Sequence, residues 1–347
     1  MSHNGRVTLR DIAQRAGVSA MTVSRVLNGS ASPVAISPET AKRVWEIAEE
    51  LGYRPNPSAQ AIRTGRFNSV GLVLSDQAWR SPLFPSLIPG IQRALAGHRM
   101  RLVINQEPDE RLTERRVVLN FLRESMVDGL LVNYHSQVPE VMQQLVDKYH
   151  VPAVWMNVKQ EADCIHPDDL GCGREAAESL IALGHRRIAF AAFKPLWWSG
   201  PRHYSFSDRR AGCRQALEKE GLELDVRLCE RQVHRGERLG LAREYLSLPD
   251  RPTAVIANGE DHVIPLLLAA GQLGLRVPED LSLVTIGHEF CTAAGLPVTT
   301  MMLPWAQLGE EAAGMILAKI EAPEEALEPR TVPVSCMAGR SCGPAPM

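Results

Sequence analysis

Residues 7–28 read VTLRDIAQRAGVSAMTVSRVLN, the plan of two short helices joined by a tight turn. Thr8 stands where an N-cap belongs, and Asp11, three residues on, is its capping-box partner. Leu9, Ile12, Ala13 and Ala16 recur at i, i+3, i+4 and i+7, which is one apolar helix face. Gly17 supplies the permissive backbone that a sharp turn needs. Ser19 then caps a second helix, with Val23, Val26 and Leu27 facing inward and Met21, Thr22, Ser24 and Arg25 facing out. Ala13 is small enough for the two helices to cross closely. Such a pair is a helix-turn-helix, whose second helix is shaped to enter the major groove of DNA.

Downstream, Ser37-Pro38-Glu39 is a helix start: a cap, a proline at the first position and an acid near the positive end of the dipole. Val44, Ile47, Ala48 and Leu51 form the apolar stripe of this third helix, and Gly52 ends it. In the stretch that follows, Asn56 and Pro57 can open a short helix and Gly65 can close it. A helix of this length is marginal in water and is expected to order only when something holds it. Residues 1–66 contain nine Lys/Arg and five Asp/Glu, whereas the whole chain carries a formal charge of −2. A basic head on an acidic body suits phosphate binding.

The 347 residues allow a small module plus a body large enough for two lobes. Hydrophobic content of 45% is that of an ordinary globular chain, and the apolar runs fall short of a membrane span. The N-terminus lacks an apolar signal core, so the expectation is a cytoplasmic protein without a membrane partner. The seven cysteines are scattered, with neither C-x-x-C nor Cys/His zinc spacing, which points to reduced thiols rather than bridges or metal ligands.

After residue 66 short apolar runs alternate with amphipathic helical patterns. Strands are expected at 70–74, 102–104, 129–132, 153–156, 188–193, 254–257 and 283–286, and helices at 111–124, 174–183, 209–219 and 263–273, among others. Repeated βα units imply parallel sheets covered on both faces. The count is too high for one compact sheet, so two doubly wound lobes are expected. Such lobes bind ligands at the carboxyl ends of their strands, and two facing lobes make a cleft.

The residues Thr8-Leu9, Asp11-Ile12-Ala13, Ala16-Gly17-Val18-Ser19, Thr22-Val23-Ser24-Arg25-Val26 and Asn28 together resemble the headpiece of the lac repressor family of bacterial transcription regulators. The resemblance continues through Tyr53-Arg54-Pro55-Asn56-Pro57, which is similar to the family's hinge, and into the body. Markers there are Val127-Asp128-Gly129, Leu183-Gly184-His185-Arg186-Arg187, Arg209-Arg210-Ala211-Gly212, Val277-Pro278-Glu279-Asp280 and Leu308-Gly309. The resemblance implies an α/β fold class: a small all-α helix-turn-helix headpiece, then a two-lobed periplasmic-binding-protein-like body of doubly wound parallel sheets. The headpiece is expected over 1–55, the hinge over 56–66 and the effector-binding and dimerisation domain over 67–347. Within the body, the first lobe is expected at about 67–165 plus 300–327, and the second at about 166–299 plus 328–342.

The same resemblance implies a homodimeric regulator, more in keeping with a repressor than an activator. Its partners would be a pseudo-palindromic double-stranded DNA operator and a small effector, usually a sugar or nucleobase in the family. Base edges would be read by Ala20, Met21 and Arg25. Thr8, Ser19, Thr22, Ser24 and Asn28 would complete the DNA contacts. In the hinge, Asn56, Ala59 and Ile62 would meet the minor groove, Ile62 in the wedge position usually held by Leu. Effector residues would be Ser75, Asn133, Asn157, Ser205, Arg209, Asn258 and Glu289. These are amides, a guanidinium fork and a carboxylate, which suit the hydroxyls of a carbohydrate. Trp197, Trp198 and Tyr204 offer faces for stacking on a sugar ring. The sequence departs from the family at His288-Glu289, where an aromatic residue and Asp are usual, and at Asn258-Gly259, so the ligand class is left open. The alternative function is a sugar-binding receptor module without DNA regulation.

No catalytic site or cofactor is expected. Gly171-Cys172-Gly173-Arg174-Glu175-Ala176 has the G-x-G-x-x-A form of a dinucleotide turn, but it follows Pro167-Asp168-Asp169, which does not read as a strand. Gly339-Arg340-Ser341-Cys342-Gly343 has the form of a nucleophile elbow, yet no acid or histidine follows it.

Overall fold

The computed structural model describes residues 7–28, 36–54, 65–77, 79–118, 126–135, 137–195, 202–230 and 232–346. The chain divides into two compact units, Met1–Phe67 and Asn68–Met347.

Among its described residues the first unit holds three helices, α1 (Leu9–Ala16), α2 (Ala20–Asn28) and α3 (Pro38–Glu50). The capping box at Thr8 forms as its chemistry requires. The Thr8 N–H donates to Asp11 Oδ2 at 2.7 Å, and the Asp11 N–H donates to Thr8 Oγ1 at 3.4 Å. Gly17 ends α1 in the left-handed conformation at φ 65°. Ser19 accepts the Thr22 N–H at 3.1 Å, and Ser37 accepts that of Thr40 at 3.2 Å. Ile12, Ala13, Ala16, Val23, Val44 and Ala48 are buried between the helices.

The second unit holds two six-stranded sheets. The first is built from β1 (Ser69–Ser75), β2 (Arg101–Glu107), β3 (Gly129–Asn133), β4 (Ala153–Met156) and β5 (Cys164–Pro167). The second is built from β6 (Ile188–Ala191), β7 (Leu224–Asp225), β8 (Ala254–Ala257), β9 (Ser282–Gly287) and β10 (Thr299–Met302). Each sheet gains a late strand, β11 (Arg330–Val332) in the first and β12 (Ser335–Met337) in the second. The orders are β11-β5-β4-β3-β1-β2 and β12-β10-β9-β8-β6-β7. Every pairing is parallel except β12 on β10.

The helices that matter for the site are α4 (Leu87–Gly97), α5 (Glu140–Lys148), α6 (Asp169–Ala182), α7 (Tyr204–Lys219), α8 (Arg238–Leu246), α9 (Glu260–Gln272) and α10 (Trp305–Glu321). Side chains alternate across each strand. Leu72 and Leu74 therefore pack in one core with α4 and α10, while Val73 packs in another with α5. In the second sheet Val255 and Ala257 face α8 and α9, and Ala254 and Ile256 face α6 and α7. Both sheets are thus doubly wound, as the βα alternation implies.

Several sequence expectations shift. Strand β5 lies outside the expected set, because its four residues Cys164-Ile165-His166-Pro167 carry no apolar run. A strand therefore does precede Gly171, contrary to the reading of Pro167-Asp168-Asp169. The glycines nevertheless sit inside α6 rather than in a phosphate-binding turn. The apolar run at 188–193 is strand only to Ala191. The segment 111–124 opens with a single 3₁₀ turn, Arg111–Thr113, and its residues 119–124 lie outside the described chain. The approximate lobe limits also move. Thr299–Met302 pairs in the second sheet and Arg330–Val332 in the first, so the crossovers follow Pro167, Met302 and Val332.

Two helix crossings are tight enough to demand glycine. A Cβ on Gly173 would lie 1.9 Å from the Arg209 carbonyl oxygen, and one on Gly212 would lie 2.0 Å from that of Leu170. These contacts clamp α7 onto α6. In the first lobe Gly90 and Gly309 do the same for α4 and α10, at 2.1 Å from Ala306 O and 2.5 Å from Leu87 O. The Gly184-His185 marker has a different use. Buried His185 bonds Thr253 Oγ1 at 2.9 Å, Ser282 Oγ at 3.0 Å and Gly343 O at 3.1 Å, which ties the C-terminal tail to the second lobe. Ser341, of the elbow-like motif, is fully buried and donates to Leu283 O at 2.5 Å, so it is a tie rather than a nucleophile.

Gly212→Ala is expected to destabilise the body by about 1–3 kcal/mol through overpacking. Gly271→Ala meets no atom within 4 Å and is expected to be neutral or slightly stabilising. Thermal unfolding of the two variants checks this, and equal melting temperatures would contradict the clamp.

Candidate functional site

A cavity of about 540 Å³ opens at the carboxyl ends of the strands in both sheets. The first lobe contributes Phe84, His135, Asn157 and Trp305, and the second contributes Ser205, Arg209, Asn258 and His288. Its long wall is helix α7, which starts at Tyr204 under an unusual cap. The His203 ring accepts the Ser205 N–H on Nδ1 at 3.4 Å. That fixes the proton on Nε2, which donates to the Asn157 carbonyl at 2.9 Å. Ser205 Oγ completes the set by donating to His203 Nδ1 at 2.7 Å.

Arg209 lies one turn further along and is buried. Its Nε donates to Asp169 Oδ1 at 2.7 Å and its Nη1 to Asn258 Oδ1 at 3.0 Å. Burial works against its charge, but the Asp169 carboxylate outweighs it and the guanidinium pKa is raised. The two residues can meet because Gly173 and Gly212 bring α6 and α7 together directly beside them.

The lobes touch across the cavity. Tyr204 OH donates to Asn157 Oδ1 at 3.1 Å, and the His135 and His203 rings lie 4.1 Å apart. Phe84 of the first lobe faces His288 of the second at 5.1 Å and stacks on Trp305 at 4.0 Å. Lys159 pairs with Asp208. Burial, the adjacent His203 ring and the Arg209 charge hold His135 at a pKa of about 3, and burial holds His203 and His262 at about 4. All three rings are neutral at physiological pH and serve as hydrogen-bonding and packing groups.

Of the seven effector residues read from the sequence, Asn157, Ser205, Arg209 and Asn258 line this cavity. Three are placed otherwise. Ser75 is buried and spends its hydroxyl on Asp109 Oδ2 at 2.7 Å, within a cluster that includes Tyr134 and Arg80. Asn133 is buried and donates to Pro82 O at 3.2 Å. Glu289 is exposed and outside the lining, so it does not join the effector set that the family resemblance implies. The carboxylate that meets Arg209 is Asp169, forty positions earlier. Tyr204 acts as an interlobe tie rather than a ring platform, and Trp197 and Trp198 lie outside the described residues. Sequence reasoning missed Asp169, His135, His203, Arg202 and Trp305. Asp169 belongs to the Pro167-Asp168-Asp169 stretch before Gly171, whereas a histidine N-cap has no recognisable signal in the sequence.

On the headpiece, Met21 is 64% exposed, the largest apolar surface on α2. Ser19 is exposed, Thr8 is exposed, and Thr22, Ser24 and Arg25 are half-buried. Ala20 packs partly against the headpiece core, which limits its reach. Asn56, Ala59 and Ile62 lie outside the described residues. Among the described residues no cluster of His, Cys, Asp or Glu is placed to hold a metal, and no helix is long and apolar enough to cross a membrane.

Comparison with known proteins agrees with both units. The profile of bacterial regulatory proteins of the lacI family matches residues 8–56, and that of a periplasmic binding protein-like domain matches residues 177–342. The chain is 30% identical to the HTH-type transcriptional repressor PurR of Escherichia coli over 342 residues, 94% of each chain. It is 29% identical to PurR of Edwardsiella ictaluri over 92% of each. Among solved structures, the lac repressor dimer bound to operator and the anti-inducer ONPF superposes with a TM-score of 0.76 at 24% identity, covering 97% of this chain and 99% of that one. A complex of the transcriptional regulator CelR with cellobiose superposes at 0.62 with 28% identity, covering 97% and 100%. The capped helix pair, the two doubly wound lobes and these relatives converge: the chain belongs to the lacI family of bacterial regulatory proteins, a transcriptional repressor with a DNA-binding headpiece and an effector-binding body, and not an enzyme.

Proposed function

We propose that this repressor works as a homodimer on a pseudo-palindromic operator and that a small polar effector, a sugar or sugar derivative, binds in the interlobe cavity. The observation that carries the reading is the cavity wall itself, where Asn157 of one lobe and Ser205, Arg209 and Asn258 of the other converge on one space. These groups combine amide, hydroxyl and guanidinium chemistry, which matches a polyol. A ligand touching both lobes has a differential affinity for their open and closed arrangements, which is what coupling to DNA requires. His203 reports such a change directly, since it caps α7 in one lobe and bonds Asn157 in the other.

On the DNA side, Met21 and Arg25 read base edges, with Ala20 lending at most its methyl group. Thr8, Ser19, Thr22, Ser24 and Asn28 complete the contacts, mainly to phosphates. An apolar Met21 selects thymine methyls or groove shape rather than bidentate bonds. Asn56, Ala59 and Ile62 hold the minor groove, with Ile62 as the wedge.

Arg25→Ala is expected to cost about 1–3 kcal/mol in operator affinity and to relax selectivity at one base pair. Fluorescence anisotropy against operator variants measures both, and an unchanged preference would remove Arg25 from base reading. In the cavity, Arg209→Ala is expected to abolish the effector response. It also leaves the Asp169 carboxylate buried without its partner, which costs about 3–5 kcal/mol of body stability. The double variant Asp169→Asn with Arg209→Gln is expected to recover stability while staying blind to effector. Calorimetry with thermal melts separates the two effects. Effector binding that survives in the double variant would place the ligand elsewhere.

A further inference from the structure

Beyond a polar ligand, the cavity has a second chemical feature. Its wall carries a cation that no carboxylate of the described protein neutralises. Arg202 lines the cavity just before α7 and is half-buried. It lies over the Phe206 ring at 3.9 Å. Its Nη1 and Nη2 both donate to Ala192 O at 3.3 Å, and Nη2 also donates to Cys229 O at 2.8 Å. A guanidinium has five N–H donors, so two of them, one on Nε and one on Nη1, are left without an acceptor among the described residues.

The neighbouring charges do not compensate. Lys194 lines the same cavity and makes no ion pair among the described residues. Arg210 adds a second guanidinium over Phe206, at 5.4 Å. The other cation of the wall, Arg209, already has Asp169. Of the two acids in the lining, Asp261 is held by Arg235 at 2.9 Å and Arg238 at 3.5 Å, and Glu260 is exposed at the start of α9. A half-buried guanidinium of the cavity lining, fixed by stacking and by carbonyls and with two donors unmatched among the described residues, is a ready fork for an oxyanion.

We infer that the effector is an anion: a polyol bearing a carboxylate or a phosphate, with its acidic group against Arg202 and Lys194 and its hydroxyls on Asn157, Arg209 and Asn258. This rests on the cavity being the effector site and narrows the ligand class from sugars in general to sugar acids and sugar phosphates.

The test is calorimetry of the full-length protein, at constant ionic strength, with aldoses each presented as three forms: the neutral sugar, its aldonic acid and its phosphate ester. Binding by acids or by phosphate esters, with the matched neutral sugars at least about 10-fold weaker, is the expected result and tells which oxyanion is taken. Arg202→Gln is expected to weaken the charged ligand by about 10- to 100-fold, the size of a lost charge-assisted hydrogen bond, and to leave the neutral form unchanged. Arg202 also braces two carbonyls, so Lys194→Gln, which removes no side-chain bond among the described residues, serves as the second variant. It is expected to weaken the acid by about 3- to 10-fold with an unaltered melting temperature. Neutral sugars binding as tightly as their acids, an acid whose affinity ignores both substitutions, or a panel with no binder would each overturn the inference. Operator binding is read in the same samples. An anion that binds through Arg202 without changing operator affinity would leave this site standing and sink the regulatory reading. A neutral sugar that does change it would do the reverse.

Discussion

The buried pair of Asp169 and Arg209 is the constraint around which the second lobe and the cavity are arranged. A guanidinium this deep needs a carboxylate in hydrogen-bonding contact, and the carboxylate needs the guanidinium. The two sit on different helices and meet only because Gly173 and Gly212 let α6 and α7 approach to backbone contact. Any side chain at either glycine would push the helices apart and strand both charges. Once the pair is made, α7 has one permitted position. Its N-terminal end, with His203, Ser205 and Arg202, is then delivered to the mouth of the cavity.

From that end the contacts run into the other lobe. His203 uses one ring nitrogen inside its own helix cap and the other on the Asn157 carbonyl, while Tyr204 takes the Asn157 side chain. Asn157 itself sits at φ 59°, a conformation asparagine tolerates better than most residues. Its carbonyl oxygen and its side-chain oxygen thus both accept from the facing lobe, while its N–H donates to Ile165 O within its own. The interlobe contacts are few, polar and carried by neutral rings, with the Lys159–Asp208 pair and the Phe84–His288 contact beside them. Interfaces of this kind open and close at low cost, unlike the apolar cores within each lobe.

How far the sequence could be read follows the range of each interaction. The capping box at Thr8, the left-handed Gly17 and the stripe of Val44 and Ala48 are local, and they form where the pattern put them. The alternation of β1, with Leu72 and Val73 on opposite faces, is equally local. What escaped was set at a distance. Strand β5 is defined by its neighbours β4 and β11 rather than by its own residues, one of them a proline. The family resemblance points to an acid at Glu289, just after β9, but the acid that meets Arg209 comes from the helix after β5. Ser75 and Asn133, at strand ends as expected, are claimed by Asp109 and by the Pro82 carbonyl, because buried polar groups take the nearest partner.

In the proposed function one ligand site and one DNA site share a free energy, and linkage makes that coupling directly measurable. Effector affinity should be determined by calorimetry for the free protein and again for its operator complex, and operator affinity with and without saturating effector. The coupling gives two ratios that are equal and differ from one. Effector bound with the same affinity by free and operator-bound protein would contradict it.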